Sequence, residues 1–234
     1  MPVNTGIQAP QQKGHPKGLY LLFTVEMWER FGYYGMRAIL TLYMTAAVLA
    51  PAGQEGIAGL GFSEADAGVV MGWFQGFVYL MPLLGGFLAD RYLGRRISIT
   101  IGGLLMAAGY FGLAVDGGYA TFWTGLILIC VGNGFFKPNI STVVGGLYQP
   151  GDSRRDTAFT IFYMGINVGA LFAPIVCGWF RSPDSGYMGY SYGFSAAGVG
   201  MLLGLVAYWG LGNKLLGDLG KKPENAKKKN DDED

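Results

Sequence analysis

Charged residues are few in this chain: Asp, Glu, Lys and Arg make up 14% of 234 residues, against about 25% in an average soluble domain. They gather in short islands separated by apolar stretches of roughly 20 residues, the length that crosses about 30 Å of hydrocarbon. So little charge cannot coat a soluble surface. Net charge is +1 and no basic, aromatic-studded patch is present, which argues against nucleic acid as a partner. Cysteine is nearly missing. Cys130 and Cys177 stand alone in apolar runs, without the spacing of a disulfide framework or a metal site. The one histidine, His15, lies in a polar leader beside Pro16, where no ligand role is expected. No Ser/His pairing or HExxH run accompanies the acidic residues, so an intramembrane enzyme is disfavoured. Residues 1–18 are polar and lack the apolar core of a signal peptide, so the first hydrophobic helix is expected to act as its own insertion signal.

What the chain does contain is apolar length. Half of it is hydrophobic (51%), mean hydropathy is +0.31, and 40 glycines lie largely inside the apolar runs, where they favour close helix–helix approach. Six spans are predicted: Leu19–Ala50, Ala65–Ala89, Ile97–Val115, Thr121–Tyr148, Ala158–Arg181 and Tyr192–Leu211. The predicted organisation is a cytoplasmic leader over 1–18, a six-helix bundle over 19–211, and a charged, disordered tail over 212–234 whose KKPENAKKKNDDED run has no apolar face. Loop charge sets the expected orientation. Thirteen of the 17 basic residues fall in the termini and the loops of one side, the opposite loops hold only Arg181, and Arg30, Arg37 and Lys137 lie within spans. The positive-inside rule then places both termini in the cytoplasm.

Charges inside spans are costly and normally face a wet cavity. At 100° per residue, Glu26, Glu29, Arg30, Tyr33 and Arg37 share a sector of roughly 100° on the first span, with Tyr34 at its edge. From Glu26 to Arg37 this stripe rises about 16 Å, near the length of a short extended peptide. A static buried ion-pair knot is the competing reading, but such a knot is a poor stabiliser against apolar packing. Lys137 lies in the fourth span next to Pro138, which frees a backbone carbonyl and softens the helix.

Three stretches resemble one family. Glu26 to Gly35 (EMWERFGYYG) is similar to the ExxERFxYYG signature of the proton-coupled oligopeptide transporters. Gly85 to Arg91 with Gly94-Arg95-Arg96 resembles the loop between helices two and three of the major facilitator superfamily, and Phe162-Tyr163 through Gly169 resembles the family's FYxxINxG signature. The Gly-rich FFKPN segment fits its fourth helix, and the match runs from about His15 to Leu211.

The resemblance implies an all-α membrane fold built from three-helix repeats. It also implies uptake of di- and tripeptides with protons, across a plasma or bacterial inner membrane, driven by the proton gradient and without a cofactor. Carried over, Glu26, Glu29, Arg30 and Lys137 form the proton-coupling cluster. Arg37 and Lys137 hold the peptide carboxylate, Tyr33, Tyr34 and Tyr79 line the pocket, and Asn167 binds the peptide amide. Asp90, Arg91, Arg95 and Arg96 form a cytoplasmic gate. The family has twelve or more spans, so six spans and a charged tail imply an N-terminal half that needs a C-terminal six-helix partner to transport. A carrier of nitrate or another small anion in the same family, or a channel-like six-helix bundle, remain as alternatives.

Overall fold

The computed structural model describes residues 14–48, 59–115, 117–181 and 189–223. Among them the chain is all-helical. Six α-helices follow in order: α1 (Lys17–Thr45), α2 (Glu64–Leu88), α3 (Arg95–Ala114), α4 (Gly118–Gly146), α5 (Arg154–Arg181) and α6 (Tyr190–Leu216), with one π-helical turn at Ala89–Leu93. Five of them, α2 to α6, are long and apolar enough to cross a membrane. The charged side chains of α1 keep it out of that group.

Local chemistry sets the boundaries. Ser63 caps α2 by accepting a hydrogen bond from the Asp66 amide at 3.1 Å, and Glu64 and Asp66 put negative charge on the first turn. The π turn after α2 closes at Gly94, whose φ of +79° suits glycine and turns the chain into α3. Each helix lies within a few residues of its predicted span. α1 stops at Thr45, and Ala46 is extended; residues 49 and 50 of the predicted span lie outside the described residues.

The C-terminal boundary differs more. α6 runs five residues past Leu211, to Leu216, and the chain beyond it folds back under the bundle up to Lys222. The Gly220 carbonyl accepts from the Arg96 amide at 2.9 Å, and Arg96 Nη1 donates to the Gly217 carbonyl at 2.9 Å. Leu216 is buried and Leu219 packs on the core. The segment is held because α3 has no side-chain cap and its first amides need acceptors, which this turn supplies. The tail predicted over 212–234 is therefore structured to about residue 222, and 224–234 lies outside the described residues.

Packing divides the bundle. α1 lies mainly on α5 and α6, α4 lies on α2 and α3, and α3 meets α6 between the two groups. Glycines set the close crossings. A Cβ on Gly102 would sit 2.6 Å from the Gly132 carbonyl, and one on Gly132 equally close to the Gly102 carbonyl, so α3 and α4 touch backbone to backbone. Gly85 of α2 meets the Gly134 carbonyl of α4 in the same way, and Gly169 of α5 meets the Met27 carbonyl of α1. Such small-residue seams maximise van der Waals contact where no hydrophobic driving force operates between helices. α2 and α5 leave most of their surface uncovered, including Trp73, Leu83, Leu171 and Ile175.

Candidate functional site

The stripe predicted on α1 is split by the packing. Glu26, Glu29 and Arg30 are buried, with relative exposures of 2%, 0% and 4%. Arg30 Nη2 donates to Glu29 Oε1 at 2.8 Å, and Arg30 Nε donates to Glu29 Oε2. The same Nε lies 3.4 Å from Glu26 Oε1. This is a forked guanidinium–carboxylate pair with a second carboxylate at its side, the strong bidentate form of charge-assisted bonding. Glu26 Oε2 makes no hydrogen bond among the described residues.

The remaining predicted residues lie around this pair. Arg30 sits 5.2 Å from the centroid of the Tyr33 ring. Tyr33 itself is buried, stacked on Phe74 of α2 and set edge-on to Tyr34, so in this arrangement it backs the cluster instead of walling an open pocket. Arg37 and Lys137 are half-buried and form no ion pair within 4 Å among the described residues. Lys137 lies within electrostatic range of Glu26 and has its Nζ 6.0 Å from the Tyr79 ring, which is exposed. Asn167 is exposed on α5.

The four residues of the proposed gate separate. Asp90 pairs with Arg95 at 3.1 Å across the α2–α3 turn. Arg91 is exposed and packs beside Phe87 and Tyr92. Arg96 turns to the C-terminus of α6 and the Tyr208 ring.

Two buried polar residues at the cluster escaped the sequence reading. Asn133 of α4 is completely buried and directs Nδ2 to Glu29 Oε1 at 3.5 Å. Tyr110 of α3, also completely buried, lies within electrostatic range of Glu29 and Arg30. Asn133 is one helical turn before Lys137, and that spacing was the only available signal. His15 also gained a partner: its Nδ1 lies 2.8 Å from the Tyr148 hydroxyl, while Arg154 Nη1 donates to the Gly14 carbonyl at 2.7 Å. The leader is thus tied to the α4–α5 loop.

The broad apolar groove of the molecule lies elsewhere. It measures about 590 Å³, runs between α5 and α6, and is floored by Trp28 and Phe31 on the other side of α1. No charged side chain lines it.

A bundle of apolar helices around a buried ionic cluster defines a multi-pass membrane protein of transporter type. The family model PTR2, described as the POT family, matches residues 96–230. The chain belongs to the POT family. It is 43% identical over 212 residues to a di-/tripeptide transporter of Lactococcus lactis subsp. lactis (strain IL1403), covering 91% of this chain and 41% of that protein. Identity to the uncharacterised transporter YclF of Bacillus subtilis (strain 168) is also 43%, with the same coverage. Among solved structures, a peptide transporter POT in complex with sulfate matches with a TM-score of 0.81 at 43% identity, covering 95% of this chain and 44% of that one. A POT family transporter in complex with 5-aminolevulinic acid matches with a TM-score of 0.82 at 38% identity, covering 91% and 42%. The chain spans about two fifths of the length of the relatives it matches.

Proposed function

We propose that this chain is the N-terminal six-helix half of a proton-coupled symporter that takes up di- and tripeptides by alternating access, with both termini in the cytoplasm. One observation carries the reading: Glu26, Glu29 and Arg30 form a buried cluster, while Lys137, within electrostatic range of Glu26, and Arg37, two turns further along α1, keep no ionic partner among the described residues. A structural knot would use its cations up. Here two are held in reserve, and one of them, Lys137, lies next to the exposed Tyr79.

The chemistry follows from that arrangement. Lys137 lies within electrostatic range of Glu26, whose second oxygen makes no hydrogen bond among the described residues. While Glu26 is charged it attracts the ammonium. A proton on Glu26 removes that attraction and leaves Lys137 for the carboxylate of an incoming peptide, with Arg37 as the second cation. Tyr34 and Tyr79 supply walls indifferent to peptide side chains, and Asn167 the amide contact. The helix contacts support two three-helix repeats: exchanging α1, α2, α3 with α4, α5, α6 turns α1–α5 into α4–α2 and α1–α6 into α4–α3, all of them extensive packings. On this reading α1 is the sixth span, its charges facing the cavity. The uncovered faces of α2 and α5 receive the C-terminal half, and Asp90, Arg91, Arg95 and Arg96 work against it as a cytoplasmic gate.

The test uses the full-length transporter in liposomes. Glu26→Gln is expected to lose uphill, proton-driven dipeptide uptake and to keep exchange of peptide down its own gradient. Uphill uptake at the parent rate would overturn the coupling role. Competition by free dipeptide, amidated dipeptide and nitrate checks the substrate: free dipeptide competes best if Arg37 and Lys137 bind a carboxylate, and competition by nitrate alone would replace the peptide with a small anion.

A further inference from the structure

Two carboxylates share the buried cluster, and their surroundings differ. Both oxygens of Glu29 are engaged, Oε1 by Arg30 Nη2 and Asn133 Nδ2 and Oε2 by Arg30 Nε. Glu26 has one oxygen at 3.4 Å from Arg30 and one without a hydrogen bond among the described residues. Among the described residues, Asn133 is the one contact to Glu29 that comes from another helix as a hydrogen bond. Its position makes poor sense as a stability device. It is fully buried, its bond to Glu29 is long, and its Oδ1 has no partner among the described residues. A buried amide left half-satisfied costs stability relative to an apolar side chain of the same shape.

We propose that Asn133 is a positioning residue that keeps Glu29 as the charged, arginine-bound member of the pair, so that the transported proton goes to the open oxygen of Glu26. The inference rests on the proton-coupling reading of the cluster. A hydrogen bond donated to a carboxylate favours its charged form, and among the described residues Asn133 donates to Glu29 and not to Glu26. Lys137 lies one turn further along the same helix, within electrostatic range of Glu26. α4 thus presents two different groups to the two acids: an amide that stays neutral for Glu29, and an ammonium free to leave for Glu26. Pro138, directly after Lys137, loosens the helix at this point. A displacement of α4 therefore acts on both acids together.

The other groups facing the cluster are Arg30 and Tyr33 from α1, Tyr110 from α3, Tyr79 from α2 beside Lys137, and Cys177 of α5 near Tyr110. Among the described residues, none of these groups is a third carboxylate. The choice of proton site therefore lies between Glu26 and Glu29, and the amide contact separates them.

The experiment is the pH profile of dipeptide uptake and of dipeptide binding by the full-length transporter carrying Asn133→Leu, Asn133→Ser, Glu26→Gln, or Asn133→Leu with Glu26→Gln. Asn133→Leu keeps the shape and removes the donor. It is expected to move the midpoint of the profile to higher pH by about half a unit or more, with uphill uptake several-fold lower and exchange retained. Asn133→Ser keeps a donor on an arm about 1 Å shorter, out of reach of Glu29, so it is expected to shift the profile in the same direction as Asn133→Leu. Glu26→Gln alone is expected to flatten the pH dependence of binding. The double variant is expected to regain a pH dependence, now carried by Glu29. A parent-like profile in Asn133→Leu, or a flat double variant, overturns the role of Asn133 and leaves the coupling reading standing. Parent-like uphill uptake in Glu26→Gln sinks both. If Asn133→Leu is recovered poorly, the same comparison is made with Asn133→Ser against the parent.

Discussion

The α3–α4 seam and the α1–α4 contact meet on the same helix and are built in opposite ways. Along α3, α4 packs backbone to backbone through Gly102, Gly109, Gly125 and Gly132, with nothing charged between the helices. Along α1 it touches little, and what it offers there is Asn133 and Lys137 against two buried glutamates and an arginine. A dry seam of small residues has one good geometry and resists change. An ionic contact has partners to exchange, and its energy depends on protonation. One helix therefore carries a fixed face and a switchable face.

The largest expected effect comes from unbalancing the ionic face. Arg30→Leu leaves Glu26 and Glu29 buried without their cation, and removing one partner of a buried pair typically costs about 3–5 kcal/mol. The thermal midpoint of the purified transporter should fall sharply at neutral pH. It should recover partly in acid, where neutral carboxyls need no counter-charge. A midpoint close to the parent at all pH values would mean that the cluster is not dry.

Breaking the fixed face comes next. Gly132→Ala puts a Cβ 2.6 Å from the Gly102 carbonyl and 2.8 Å from the Met106 amide nitrogen, backbone atoms that can yield only if the helices part. Overpacking of this kind costs about 1–3 kcal/mol. Gly210→Ala on α6 meets nothing within 4 Å and serves as the control, neutral or stabilising by up to about 1 kcal/mol. Equal midpoints for the two alanine variants would remove the seam as a source of rigidity.

A smaller effect sharpens the boundary between the two faces. The Tyr110 hydroxyl is buried beside the cluster with no hydrogen-bond partner among the described residues. Tyr110→Phe is therefore expected to be neutral, or to stabilise by about 1 kcal/mol, because an unmade buried hydrogen bond is a cost. A loss of more than about 1 kcal/mol would place Tyr110 within the ionic network.

The smallest effect lies outside the membrane. Hydrogen bonds from Arg154 hold the Asp152 carboxyl down, from an ordinary 3.8 to about 2. A group depressed on folding stabilises above its unfolded value, and that contribution is lost as pH falls from about 4 through 2. Asp152→Asn should therefore differ from the parent slightly at neutral pH, and the difference should shrink as pH falls from about 4 and vanish only well below 2, as read from thermal midpoints across that range. Since both side chains are partly solvated, the difference is expected to be slight.

Six helices were legible because apolar runs of about 20 residues are hard to hide in 234 residues, and five of the six, α2 to α6, are long and apolar enough to cross a membrane. The polar stripe of α1 was legible as well, since helical periodicity alone puts Glu26, Glu29, Arg30, Tyr33 and Arg37 on one side. Asn133 was not. In the run VGNGFFKP an asparagine looks like any small polar residue at a helix contact, and its partner stands 104 positions away. His15 failed in the same way, because Tyr148 is 133 residues distant and no local pattern connects them. The tail read as featureless because its composition hides that Gly217 and Gly220 supply acceptors to Arg96.

By itself, then, the order of residues determined what is local: where apolar length allows a helix, where charge interrupts it, and which side of each helix a residue takes. Periodicity and hydropathy are properties of neighbouring residues, so they survive without any knowledge of the fold. Only the tertiary structure decided which members of the stripe are spent on one another and which are kept open. Among the described residues, Glu29 and Arg30 closed into a forked pair, Glu26 kept an oxygen without a hydrogen bond, and Lys137 and Arg37 formed no ion pair, with α4 crossing α1 where one amide reaches Glu29 and the ammonium a turn later comes within electrostatic range of Glu26. That outcome depends on how closely glycines let the helices approach, and an ångström of approach separates a bonded carboxylate from an open one.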